Sequence, residues 1–294
     1  MAYRTNSYDT TLESPFVKTR PLALLQGKGV LDCDCSPPPV GRSRLPIRIA
    51  GLYGHDPKQN HLLGALPEAD YERLLPHLEL VSMRLGSVVC ESGSQMSHVY
   101  FPTSSIVSLL HHTKNGASAE IAVIGNEGMI GVTLFMGGGS TLTRVVVNSA
   151  GYGFRMRKNM LTEEFARGGA LQQLLLRYTQ ALIAQMSQTA VCNRHHSVLQ
   201  QLCRWLLLSL DRQLSTELSI TQETIASMLG VRRESVAAAA GKLQDDGLIQ
   251  YSRGHITVMN RAGLEERVCE CYAGLREEYD RLAPNHLEYK VARE

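Results

Sequence analysis

Leu218–Met259 reads LSITQETIASMLGVRRESVAAAAGKLQDDGLIQYSRGHITVM, and its punctuation divides it into two short helices and a hairpin. Thr221 is an N-cap residue, and Ile225, Met228 and Leu229 follow at helical spacing on one face. Gly230 stands where a left-handed cap ends the first helix. A second helix opens within Val231–Val236, keeps Val236, Ala239, Ala240 and Leu243 on its apolar face, and stops at Asp245-Asp246-Gly247. Leu248–Tyr251 and Ile256–Met259 are β-like runs, with Ser252-Arg253-Gly254-His255 as the turn between them. Helix, turn, helix and hairpin in this order predict a winged helix-turn-helix.

The charges suit that arrangement. A recognition helix enters the major groove N-terminus first, so base-reading side chains belong in its opening turns. Arg232 and Arg233 are there, and an arginine fork matches the O6 and N7 acceptors of guanine. Glu234 can accept from cytosine N4, while Thr221 and Gln222 at the start of the first helix, Ser235 and the hairpin-tip Arg253 suit phosphates. The simpler alternative is a helical hairpin with a solvated, charged turn. The arginine pair at the helix start and the following wing favour DNA.

ITQETIASMLGVRRESVAAAAGKLQDDGLI, with GHITVMN behind it, resembles the C-terminal domain of the Crp/Fnr family of bacterial transcription regulators. Arg233, Glu234, Ser235 and Val236 match the Arg-Glu-Ser/Thr-Val run of that family. One departure concerns the target: where members best known for binding cyclic AMP carry a second arginine, this chain has Ala238. The family's operator therefore does not transfer.

Charge sets a bound on the rest. The 294 residues carry a net charge of only +2, with 44% hydrophobic residues. Residues 191–260 hold seven Lys or Arg against six Asp or Glu, so a DNA-binding field must come from placement. No run of 18 apolar residues suggests a membrane span, and no signal peptide is evident. Seven irregularly spaced cysteines fit a reducing cytoplasm. Residues 1–58, with Ser36-Pro37-Pro38-Pro39 and no sustained period, read as a disordered, weakly basic tail.

From residue 59 to 169 the pattern predicts a sensor domain. Leu62, Leu63, Leu66, Tyr71, Leu74, Leu75 and Leu78 mark short helices interrupted by Pro67 and Pro76. β-like runs follow at 88–90, 99–101, 106–110, 120–124, 144–147 and 153–156, suiting a small antiparallel barrel or jelly roll. HVYFPTSSIVSLL and the Leu78–Gly86 stretch are similar to the β-roll sensor of Crp/Fnr proteins. That resemblance implies a cyclic-nucleotide pocket near Glu127, Gly131, Val132, Thr143 and Arg144, but the residues oppose it. Gly131 matches, whereas Val132 replaces the ribose-binding glutamate and Thr143-Arg144 replaces the phosphate-binding Arg-Ser pair. A ribose hydroxyl facing Val132 would lose a hydrogen bond, at roughly 1–3 kcal/mol.

Residues 170–196 form the next unit, where Leu171, Leu175, Tyr178, Leu182, Gln185 and Thr189 make a heptad-like seam. Packing on its own domain is one reading; in the resembling family the equivalent helix pairs with its copy in a homodimer. Residues 197–260 are the expected DNA-binding unit, opened by Val198, Leu202, Trp205, Leu206 and Leu210 on a further helix. Residues 261–294 add an amphipathic helix through Leu264, Val268, Cys271 and Leu275.

Metal or redox sensing is the rival sensor chemistry. Candidate ligands are Cys33 with Cys35, His111 with His112, Cys192 with His195 and His196, and Cys269 with Cys271. On one continuous helix Cys269 and Cys271 face apart, which is poor for a tetrahedral site, so no metal and no cofactor is expected. No nucleophile–base pair stands out, and GMIGVTLFMGGG lacks the lysine of a phosphate loop, so an enzyme is disfavoured. The expected protein is α+β: an N-terminal β-roll of jelly-roll type, a long dimerisation helix and a C-terminal winged helix-turn-helix. As the resemblance implies, it would regulate transcription as a cytoplasmic homodimer on a palindromic operator, with double-stranded DNA and RNA polymerase as partners. The alternative is a cyclic-nucleotide- or redox/metal-responsive sensor acting through a ligand or a protein partner.

Overall fold

The computed structural model describes residues 54–213 and 215–282. Most of the expected tail, with Cys33 and Cys35, lies outside the described residues, as does the end of the 261–294 segment. At the end of the range assigned to that tail, Pro57–Gln59 form a 3-10 turn capped by the Asp56 side chain.

Two short helices, α1 (His61–Gly64) and α2 (Glu68–Leu74), are separated at Pro67 as the sequence predicts. Seven strands follow: β1 (Glu79–Met83), β2 (Val88–Cys90), β3 (His98–Pro102), β4 (Ile106–His112), β5 (Ser118–Ile124), β6 (Thr143–Ser149) and β7 (Gly151–Arg157). They pair antiparallel in two sheets, β1-β7-β3 and β2-β6-β4-β5. Both sheets contribute to one core: Phe101, Phe154 and Met156 from the first, Val107, Leu109, Val145 and Val147 from the second. Alternation along each strand sends these side chains to the same face. Six strands fall on the predicted runs. β1 is additional: its central residues are only half-buried, so its alternation is weak in the sequence.

A helix α3 (Lys158–Ala166) leads into the 26-residue α4 (Ala170–His195), and α5 (Val198–Leu210) follows at once. The break falls where Cys192–His196 predicts it. Ser197 starts α5 with a full capping box, its side chain accepting from the Gln200 backbone while Gln200 returns the bond.

The seam on α4 is covered by the chain itself. Leu171, Leu175, Tyr178, Leu182, Gln185 and Thr189 are all buried in the single chain, so they do not form an open dimer face. Leu171, Leu175, Tyr178 and Leu182 belong to the β-roll core. Tyr178 Oη donates to Met129 O at 2.9 Å and Gln185 Nε2 to Val123 O at 3.1 Å. Tyr178 and Gln185 thus satisfy buried carbonyls of the roll that apolar residues would leave unpaired, and Thr189 Oγ1 accepts from Arg204 at 3.2 Å.

After the three-residue β8 (Glu217–Ser219) come α6 (Gln222–Leu229), α7 (Arg233–Asp245), β9 (Ile249–Ser252) and β10 (His255–Val258), with the wing ordered β8-β10-β9. The C-terminal segment is two helices, α8 (Arg261–Arg267) and α9 (Glu270–Leu282), and not the one continuous helix its periodicity suggests. Val268 is extended (φ −73°, ψ 157°) and turns the chain between them. This removes the geometric objection to Cys269 and Cys271 acting together.

The winged domain docks on the roll. Ile106 and Val123 from the roll join the core made by α5, α6, α7 and the wing. Ser118 and Ser227 hydroxyls meet at 2.6 Å across the junction. Beside it Glu120 is buried, bonded by the Ser108 hydroxyl and reached by Asn148 Nδ2 at 3.4 Å. Burial raises its pKa above the carboxylate value of 4.5, against the opposing pull of Ser108, Arg204, Trp205 and Arg212. A raised folded pKa means that the unfolded chain loses this proton first as pH rises. The Glu120 contribution to stability is therefore full below about pH 4.5 and declines as pH climbs toward the folded pKa. As pH rises above about 4.5, Glu120→Gln is expected to gain thermal stability relative to the parent, because the amide has no proton to lose. Calorimetry giving parallel Tm-against-pH curves for the two proteins would refute this.

Candidate nucleic-acid interface

α6 and α7 form the helix-turn-helix for the local reasons read from the sequence. Thr221 Oγ1 accepts from Thr224 N at 3.2 Å and caps α6. Gly230 closes it at φ 67°, ψ 31°, a left-handed conformation that a side chain disfavours. Ile225, Ala226, Met228 and Leu229 pack against Val236, Ala239, Ala240 and Leu243, fixing the angle between the helices through one shared core.

The face left over is open to solvent. α7 starts at Arg233 with Arg232 as its N-cap, one or two residues later than Val231 suggests. Arg232, Arg233 and Glu234 are exposed and Ser235 is half-buried in that first turn. Arg253 and Gly254, at φ 49° and 81°, form the two-residue turn between β9 and β10, with Arg253 exposed. Two positive φ values give the hairpin turn whose twist matches the strands. Tyr251 ties the wing to the segment just ahead of α6, its hydroxyl donating to Ile220 O at 3.2 Å. Thr221 is exposed but engaged as the cap, and Gln222 is half-buried beside it.

Ion pairing shows how a near-neutral region can present a cationic face. Arg212, Arg261, Arg267 and Arg281 are each held by a carboxylate, on Glu127, Asp211, Asp246 and Glu278. Among the described residues Arg232, Arg233 and Arg253 have no ion-pair partner. Their charge faces solvent, available to phosphates and base edges.

Residues 200–267 match the Crp-like helix-turn-helix domain. The match makes the helix-turn-helix of this chain Crp-like, and beyond it the likeness to Crp/Fnr regulators is one of fold. Its fold is similar to that of a crp/fnr-family transcriptional regulator from Eubacterium rectale, at TM-score 0.53 and 18% identity over 70% of this chain and 96% of that one. FixK2 from Bradyrhizobium japonicum gives 0.54 and 16%, over 65% of this chain and 98% of that one. The c-di-GMP responsive global regulator CLP of Xanthomonas campestris gives 0.50 and 15%, over 65% and 99%. None of the curated proteins matches the chain significantly. DNA binding through the helix-turn-helix is the function that the Crp-like domain carries.

The positions expected around a Crp/Fnr nucleotide pocket do other work here. Glu127 lies 2.7 Å from Arg212 Nε and also accepts from Gly125 N, both of its oxygens being engaged. Gly131 adopts φ 107° to start a 3-10 turn over Val132–Leu134, and a Cβ there would lie 3.1 Å from Val99. Val132 is half-buried against the roll core. Thr143 bonds back to Thr141, and Arg144 pairs with Glu91 at 3.1 Å. No helix is long and apolar enough to cross a membrane among the described residues.

Proposed function

We propose that the protein is a sequence-specific DNA-binding regulator that acts as a homodimer on a palindromic operator without a cyclic nucleotide. The observation that carries this reading is the set of unpaired cations, Arg232 and Arg233 at the exposed start of α7 and Arg253 at the wing tip. Arg232, Arg233 and Glu234 read bases; Thr221, Gln222, Ser235 and Arg253 hold phosphates, helped by the free N–H groups at the start of α6. Two copies related by a two-fold axis bring their recognition helices about one DNA turn apart, roughly 34 Å.

Support for a nucleotide-independent sensor comes from the occupied carboxylate of Glu127, the paired Arg144 and the apolar Val132. On α4 the apolar side chains that remain open are Leu176, Ile183 and Val191, and these supply the dimer face in place of the buried seam. From its operator the dimer acts on transcription through RNA polymerase.

Selection of random duplexes by the purified protein, with no effector added, is expected to return a palindrome with half-sites one helical turn apart. Arg233→Ala should then bind the selected site about 10–100-fold more weakly, the value of one bidentate base contact. It should relax selection at one position per half-site. Unspecific recovery by the parent, together with unchanged binding by Arg233→Ala, would sink the reading.

A further inference from the structure

Cys192, His196, Cys269 and Cys271 offer three sulfurs and one ring nitrogen that all lie within 4.8 Å of one another. We propose that these four side chains are a closed, tetrahedral Zn²⁺ site joining the end of α4 to the elbow between α8 and α9.

The distances are those of a tetrahedron. Zn–S of about 2.3 Å and Zn–N of about 2.0–2.1 Å give S···S edges of about 3.8 Å and S···N edges of about 3.5 Å. Cys192 and Cys269 sulfurs are 3.6 Å apart, and Cys271 Sγ lies 3.4 Å from His196 Nδ1. Cys192 lies in the last turn of α4 and His196 is its C-cap, four residues on, with the His196 N–H donating to Cys192 O, so the two side chains leave the same end of the helix. The extended backbone of Val268 lets Cys269 and Cys271 approach together. All three sulfurs are buried, and three thiolates with one imidazole select zinc among the common divalent ions.

The surroundings are those of a ligand shell. His196 Nε2 faces Glu270 Oε1 at 3.2 Å, so the carboxylate accepts the Nε2 proton and leaves the Nδ1 lone pair for the metal. Arg204 is 5% exposed, its Nε has no hydrogen-bond partner among the described residues, and its charge acts on Cys192. Three thiolates and Zn²⁺ sum to one negative charge, which this buried guanidinium offsets. With every position filled by protein, the ion is structural and clamps α9 against α4 beside the root of the DNA-binding domain.

The full chain, purified under reducing conditions with zinc supplied, is expected to hold one Zn²⁺ per chain by elemental analysis. Co²⁺ in its place should give the intense visible absorption of a tetrahedral thiolate site. Cys269→Ser should lose the metal, while His196→Cys keeps it and shifts the cobalt spectrum. Glu270 is exposed, so Glu270→Gln tests the site without disturbing the fold; zinc competition with a fluorescent chelator should read an affinity roughly 10–100-fold weaker. Zinc well below one per chain, a metal content that Cys269→Ser leaves unchanged, or a Cys192–Cys269 disulfide in the zinc-supplied protein would each overturn the proposal. Unaltered zinc affinity in Glu270→Gln would overturn it too, by removing His196 from the ligand set.

Discussion

Arg212→Ala is expected to lower the free energy of unfolding by about 3–5 kcal/mol, the cost of stranding one member of a buried ion pair. Arg212 and Glu127 side chains are 4% and 9% exposed, and they meet at 2.7 Å. Burial works against the guanidinium charge, but Glu127, Tyr279 and Asp211 outweigh it and hold the Arg212 pKa above its ordinary value. The same guanidinium donates to Leu208 O at 2.8 Å and lies 5.7 Å from the centre of the Tyr279 ring. One side chain thus joins the roll through Glu127, the root of the winged domain through α5, and the C-terminal helix through Tyr279. Removing it leaves the Glu127 carboxylate buried, with Gly125 N as its remaining hydrogen-bond donor among the described residues. The control is the double variant Glu127→Gln with Arg212→Met, which removes both charges and fills the space. It should recover most of the loss, because the penalty lies in the unpaired charge and not in the absence of a bridge. Denaturant unfolding that finds the single and double variants equally destabilised would show that the pair contributes only packing.

What the sequence disclosed and what it withheld divide along a physical line. The helix-turn-helix was legible because its signals are local: Thr221 caps, Gly230 turns, and the apolar residues of α6 and α7 recur at three and four. The strands of the roll were legible for the same reason, except for the weakly alternating β1; in the wing the three-residue β8 was too short to show. The heptad spacing on α4 correctly marked a buried face, yet periodicity records burial and not the partner that provides it. Here the partner is the chain's own sheet. The elbow at Val268 was hidden because Leu264, Cys271 and Leu275 keep a helical period across it. The break is made by tertiary contacts, with Tyr272 Oη bonded to Asp211 at 2.9 Å and Cys269 drawn to Cys192. The cysteine–histidine cluster therefore spans residues 77 positions apart, and no spacing rule reaches that far.

The distinction between the two faces of α4 leads to the other large expected effect. Leu176→Glu combined with Ile183→Glu should leave a folded monomer that binds its operator about 100–10,000-fold more weakly than the parent. The two side chains are 52% and 56% exposed and stand seven residues apart on one stripe, with Val191 at 50% further along. Carboxylates there face water in the single chain and cost the fold little, but a two-fold interface would have to desolvate four of them. The loss of affinity follows from losing the second half-site, whose binding is intramolecular only while the copies are joined. Leu175→Ala on the opposite, buried face is the contrast. It should cost about 2–5 kcal/mol of stability through the cavity it opens in the roll core, while the folded fraction stays dimeric. Light scattering separates the two outcomes, and anisotropy on a labelled operator gives the affinities. A dimer that survives both glutamates would place the interface elsewhere on the chain. A monomer produced by Leu175→Ala alone would return it to the seam that the heptad spacing first suggested.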